Sequence, residues 1–143
     1  VPEPGLYQVQ MNAGMNGCGL VVHNAPAVMT GPGMKLCEWP GAMYFWVPEG
    51  CDRFTITLFA GKGESAAMEI YRPGGELAFA GDSLTQDALP ATVNAEPQEQ
   101  GKAWRLVIDE APEGNMEDYS VLLGEELPPW LATSPGALLI SVD

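Results

Sequence analysis

The sequence predicts an all-β domain in which two antiparallel sheets pack as a sandwich or jelly roll. Three observations carry this. Roughly eight to ten short segments alternate apolar and polar residues, the period-2 pattern of half-buried strands. The 17 glycines and 13 prolines are spread between those segments as turn punctuation. No long amphipathic helix is visible, so a βαβ fold would have nowhere to put its crossovers. A two-sheet sandwich fits best, with a closed barrel as the runner-up. At 143 residues and 46% hydrophobic, residues 1–143 suit a single domain with a real core.

Val1 to Gly5 is a proline-containing lead-in. Leu6 to Met11 alternates and reads as a first strand with one partly wet face. Asn12 to Gly17 is a turn, and Cys18 to His23 reads as a second short strand. Gly31-Pro32-Gly33 is a strong turn signal. Met34 to Trp39 reads as a third strand, with Met34, Leu36 and Glu38 facing away from Lys35, Cys37 and Trp39.

Ala42 to Gly61 is the most explicit stretch. Met43 to Val47 is aromatic and strand-prone, and Pro48 to Asp52 supplies turn residues. Arg53 to Phe59 alternates, Phe54, Ile56 and Leu58 pointing one way and Thr55, Thr57 and Phe59 the other. This predicts a hairpin with Trp46 and Phe54 in the core. Ala66 to Tyr71, a turn at Arg72 to Glu76, and Leu77 to Ala80 predict a second hairpin. Gly81 to Gly101 is polar and acidic, a long loop holding at most one edge strand. Ala103 to Asp109 is a strand with Trp104 in the core, and Tyr119 to Leu123 is the next. Trp130 follows two prolines, and Ala137 to Val142 closes the chain as a last strand or an exit tail.

Nineteen acidic residues against six basic ones give a net charge of -13. Such a surface repels a phosphate backbone and an anionic bilayer, which argues against nucleic acid and membrane as partners. Neutral oligo- or polysaccharides meet no such penalty. No apolar run is long enough to span a bilayer, and no signal peptide is visible. A start at Val1 rather than methionine suggests a processed product or an excised module, unless the boundary is artificial. The cysteines are odd in number. Either Cys18 and Cys37 form a disulfide with one thiol left over, or Cys18, Cys37 and Cys51 are three buried free thiols.

No dinucleotide fingerprint, Walker pattern or nucleophile elbow is present. Ser65, Ser83, Ser120, Ser134 and Ser141 share a single histidine, His23, and no motif links it to any of them. That one histidine also rules out a multi-histidine metal centre. The acids fall mostly in turns and read as solvated faces or caps, although so many carboxylates always admit a paired-acid glycosidase. A structural calcium is the sharper alternative, with Asp82, Asp109 and Asp118 as candidate ligands.

The aromatics say more. A tryptophan or tyrosine that stays exposed offers a flat apolar face and a polar handle, which suits the C–H face of a sugar ring. Trp39 and Trp130 sit beside prolines at element ends and are the candidate platform. Tyr7, His23, Lys35, Glu38 and Tyr71 are its candidate polar neighbours.

The stretch YFWVPEGCDRFTITLFAG resembles a segment of β-sandwich modules attached to secreted bacterial glycoside hydrolases and polysaccharide-associated proteins. MEIYRPGGELAF resembles their strand–turn–strand hairpin, and WRLVIDEAPEGNMEDYSVLLGEELPPWLATSPGALL their closing strands and tail. The matching segments span about Met43 to Leu139, and the resemblance is to galactose-binding-like or carbohydrate-binding domains in general. It implies a sandwich fold and a bacterial protein that is secreted, periplasmic or on the cell surface. It implies no particular binding residue.

The expectation is therefore a noncatalytic carbohydrate-binding module that targets a covalently linked enzyme to its glycan. The alternative is a structural accessory sandwich packed against a catalytic domain. A standalone glycan hydrolase or lyase stands third.

Overall fold

The computed structural model describes residues 3, 5–10, 22, 25–31, 33–37, 41–61 and 63–140. Among them are ten strands: β1 (Val28–Thr30), β2 (Met34–Cys37), β3 (Ala42–Val47), β4 (Arg53–Ala60), β5 (Ala66–Tyr71), β6 (Leu77–Asp82), β7 (Ala88–Asn94), β8 (Lys102–Glu110), β9 (Asp118–Leu123) and β10 (Trp130–Ala132). A six-stranded sheet runs β1-β10-β3-β8-β5-β6, and a four-stranded sheet runs β2-β9-β4-β7. Every registered pair is antiparallel. The two-sheet antiparallel sandwich is the fold class the alternation predicts.

The core is what that alternation requires. Met43, Phe45 and Val47 of β3, Trp104, Leu106 and Ile108 of β8, and Met68 and Ile70 of β5 are buried on one side. Phe54, Ile56 and Leu58 of β4, Ala91 and Val93 of β7, and Val121 of β9 face them from the other sheet. A triad of rings ties the layers together. Phe54 lies edge-on to Phe45 at 5.4 Å and edge-on to Trp104 at 5.2 Å between centroids.

The stretch Ala42 to Gly61 is not a hairpin. Its two strands lie in different sheets, because both edges of β3 are occupied by β10 and β8, and both edges of β4 by β7 and β9. Pro48 to Asp52 is thus an arch from one layer to the other. It is anchored from outside, the Gly50 N–H donating to Gln100 Oε1 at 2.9 Å and the Ala95 N–H to the Asp52 carbonyl at 2.9 Å. Local pattern specifies two strands and a turn. Whether the strands pair or face each other depends on which partners arrive from later in the chain.

The hairpin of β5 and β6 forms as expected, closed by the Arg72 N–H to the Glu76 carbonyl at 2.8 Å, with a bulge at Ile70/Tyr71. Within Gly81 to Gly101 the single edge strand is β7, paired on one side only. Pro90 is tolerated there because an edge strand leaves half its N–H groups out of the ladder.

Three expectations need correction. Leu6 to Gln10 is not a strand; Leu6 is 82% exposed and the segment pairs with nothing in either sheet. Of the two alternatives for the closing segment, the exit tail is the one that forms as far as Ile140, with a 3-10 turn at Pro135–Ala137. Cys37 is an exposed free thiol and Cys51 a half-buried one, so Cys37 is neither bonded to Cys18 nor buried. Trp46 is half-buried on the outer face of β3, between buried Phe45 and Val47. The strand predicted at Cys18 to His23 lies outside the described residues except for Val22, which is exposed.

Gly114 gives a test of the loops that seal one end. Its φ is +102°, and a Cβ there would fall 2.0 Å from Ser65 Oγ. Ser65 is the anchor of that end: its hydroxyl donates to the Glu113 carbonyl at 2.6 Å and its N–H to the Asn115 carbonyl at 2.9 Å. Gly114→Ala is expected to destabilise by about 1–3 kcal/mol from backbone strain, before the clash is added. Gly74→Ala, at a turn glycine with open space around its Cβ position, should leave the melting temperature nearly unchanged. Equal melting curves for both variants would contradict this packing.

Candidate functional site

The outer face of the six-stranded sheet is where the chain gathers half-buried aromatic and polar side chains. Alternation puts Tyr44 and Trp46 of β3 outward, as it puts Phe45 inward. On β8 it turns Ala103, Arg105, Val107 and Asp109 outward, and on β5 Ala67, Glu69 and Tyr71. The registers align these residues into rows. Tyr44, Arg105 and Tyr71 are directly opposite one another across β3, β8 and β5. Trp46 stands beside Ala103, and Val107 lies between Ala42 and Glu69.

The central row is organised by its arginine. The Arg105 guanidinium lies over the Tyr71 ring, 4.0 Å from its centroid. A stacked guanidinium keeps its N–H donors at its rim, free to meet hydroxyl groups. The Tyr71 hydroxyl donates to the Glu69 carboxylate. That hydrogen bond, with some desolvation and the Glu69 charge, raises the Tyr71 phenol above its ordinary pKa, while Arg105 pulls it back. The result is an aromatic patch at Tyr44 and Trp46 beside a fixed set of donors and acceptors at Arg105 and Glu69. A sugar has the same two aspects, an apolar C–H face and a hydroxyl rim.

The residues expected from sequence fall in several places. Trp130, on β10, shares this outer face with Tyr44, since Ala132 is opposite Tyr44 and Trp130 lies two residues from it toward the Trp46 end. Trp130 is half-buried, partly exposed as the sequence suggests; its Nε1 is buried without a hydrogen-bond partner, and Ala132 beside Tyr44 is 1% exposed. Tyr71 is in the central row. Tyr7 is exposed outside both sheets, its hydroxyl donating to the Glu3 carbonyl at 2.6 Å. Lys35 is exposed on β2, in the other sheet. Trp39, His23 and Glu38 lie outside the described residues.

The candidate calcium ligands do not converge. Asp82 and Asp109 flank Ala67 on either side in the outermost row of the six-stranded sheet, while Asp118 belongs to the four-stranded sheet. Among the described residues, no three His, Cys, Asp or Glu side chains form a group that could hold a metal ion.

Tyr44, Trp46, Arg105 and Glu69 belong to this candidate face and are not among the site residues singled out from the sequence. The signal was present in the alternation. Phe54, Ile56 and Leu58 have only alanine, threonine and phenylalanine between or after them, so their inward direction is easily assigned. MYFWV is apolar at every position, and nothing within it says whether Tyr44 and Trp46 or Phe45 and Val47 face the core.

At one end of the sandwich, an open depression of about 350 Å³ lies among Gly61, Ser65, Ser83, Asp87 and Gly114. Its two buried hydroxyls are committed to the backbone: Ser65 to the Glu113 carbonyl, and Ser83 accepting the Ala66 N–H at 3.0 Å. No family model matches the chain, and no curated protein matches it in sequence. No helix among the described residues is long and apolar enough to cross a membrane.

Proposed function

We propose that this sandwich is a noncatalytic carbohydrate-binding module and that it binds a neutral glycan on the outer face of its six-stranded sheet. The observation that carries the reading is the row Tyr44–Arg105–Tyr71 with Trp46 beside it: aromatic surface, a preorganised donor and a carboxylate acceptor on one rigid sheet. Strands hold such groups more firmly than loops do, which reduces the ordering cost of binding. The net charge of -13 selects against acidic polymers. Through this face the domain would keep a linked carbohydrate-active enzyme of a secreted, periplasmic or surface bacterial protein near its substrate.

A second reading has its own support. On the four-stranded sheet, Phe59 (40% exposed) and Leu122 (38%) are diagonal neighbours on β4 and β9. They would suit packing against a catalytic domain of the same protein.

Affinity electrophoresis of the domain against a panel of neutral and acidic polysaccharides separates the two. The glycan reading expects retardation by at least one neutral polysaccharide, removed by Arg105→Ala and kept by Phe59→Ser. No retardation by any member of the panel would sink it and leave the accessory reading standing.

A further inference from the structure

We infer that the glycan is a single extended chain of β-linked sugars lying across the strands, with successive rings over Tyr44, against the Arg105 guanidinium and beside Tyr71 and Glu69. This rests on the glycan-binding reading above and specifies its ligand. Tyr44, Arg105 and Tyr71 are exact Cα partners on three adjacent strands, β3, β8 and β5. The row therefore runs perpendicular to the strands. Its outer members are two strand spacings apart, about 9.5 Å. That is the span of two pyranose rings in an extended β-linked chain, in which every second ring presents a similar edge to the surface. A ring on Tyr44 then brings the next ring against the Arg105 guanidinium and the third beside Tyr71 and Glu69.

Two further features narrow the class. On this face the registered residues include three carboxylates, Glu69, Asp82 and Asp109, and one cation, Arg105. A polyanionic glycan would meet net repulsion, so the chain is uncharged. The sheet also twists. Adjacent strands turn by roughly 20–25°, so positions on β3 and β5 differ in orientation by roughly 40–50°. A flat crystalline surface cannot meet both Tyr44 and Tyr71, whereas one dissolved chain can follow the twist. At either side the row meets limits: buried Ala132, opposite Tyr44 on β10, and the sheet edge at Leu77, opposite Tyr71 on β6. The site accordingly holds about three to four rings at roughly one strand spacing each.

The test is calorimetric titration with β-1,4-linked gluco-, manno- and xylo-oligosaccharides of one to six units, and with the α-1,4-linked gluco series. In at least one β-linked series, affinity is expected to rise at least tenfold from disaccharide to tetrasaccharide and then level off. Tyr71→Ala should remove that rise, leaving the tetrasaccharide within about threefold of the disaccharide, and Arg105→Gln should do the same for the trisaccharide. Both variants are checked for an unchanged melting curve, and either one suffices. Pull-down on microcrystalline cellulose should show no retention. The inference is overturned by equal affinity at all lengths, by α-linked chains binding as tightly, by retention on the crystalline polymer, or by Tyr71→Ala weakening every length equally. Retardation on the polysaccharide panel with no binding of any β-linked oligosaccharide would overturn it while leaving the glycan-binding reading intact. No binding to any glycan would remove both.

Discussion

Trp104→Ala is expected to destabilise the domain by about 3–5 kcal/mol, lowering the melting temperature by on the order of 10 °C. Trp104 is fully buried at the centre of the sandwich and contributes to it in three ways. Its ring meets Phe54 edge-on at 5.2 Å and lies 6.3 Å from Phe45, so it is the contact of both sheets at once. Its indole N–H donates to the Glu99 carbonyl at 3.0 Å. Its outer edge lies beneath the Arg72 guanidinium, 5.5 Å from the ring centroid, and Arg72 is paired with the Glu99 carboxylate. The indole thus connects the core to the segment Ala95 to Gly101, whose backbone also holds the β3–β4 arch. Alanine would leave a cavity, an unpaired carbonyl and a guanidinium without its aromatic face. Trp104→Phe keeps most of the ring contact and loses the N–H, so it should fall between the two, about 1–2 kcal/mol below the parent. Thermal or urea unfolding of the three proteins reads this directly. A Trp104→Ala variant that melts with the parent would mean that this ring is not the centre of the core.

Much of the fold was legible because alternation is strict where one face is wet. Arg53 to Phe59 reads correctly residue by residue, since threonines at 55 and 57 mark the solvent side, and β4 runs one residue further. Ala103 to Asp109 reads correctly for the same reason, with Arg105 as a marker, and β8 runs one residue further at each end. β1 was not legible: its three residues, Val28 to Thr30, carry no periodic signal, and the strand exists because β10 offers it an edge. The arch at Pro48 to Asp52 was not legible either. Pairing in a sandwich is decided by segments far apart in sequence, here β8 and β10 for β3 and β7 and β9 for β4. For the site the difficulty is the same one at smaller scale. A row such as Tyr44–Arg105–Tyr71 is assembled from three strands, and its members are neighbours only once the register is known. Tyr71 is among the candidates read from the sequence, whereas its neighbours Tyr44 and Arg105 are not.

The closest test of the face assignment uses two adjacent residues. Phe45 and Trp46 are consecutive on β3 and point to opposite sides of the same sheet. Phe45 is fully buried and touches both Phe54 and Trp104. Phe45→Ala should therefore cost about 3–5 kcal/mol of stability, by loss of buried area and by the cavity left behind. Trp46 is half-buried on the outer face, with the small side chain of Ala103 opposite it on β8. Trp46→Ala should cost about 1 kcal/mol or less in stability, as an outer-face substitution away from the core. Its effect on glycan affinity should be a loss of tenfold or more, equivalent to about 1.4 kcal/mol of binding free energy. The larger residue thus has the smaller effect on folding, which composition alone would never suggest. Melting curves and titration of the two variants side by side decide the matter. If Trp46→Ala unfolds the domain while Phe45→Ala does not, the two faces of β3 are reversed. If Trp46→Ala melts like the parent and binds glycan equally well, the contact surface does not include the indole, and Tyr44 with Arg105 must carry the affinity without it.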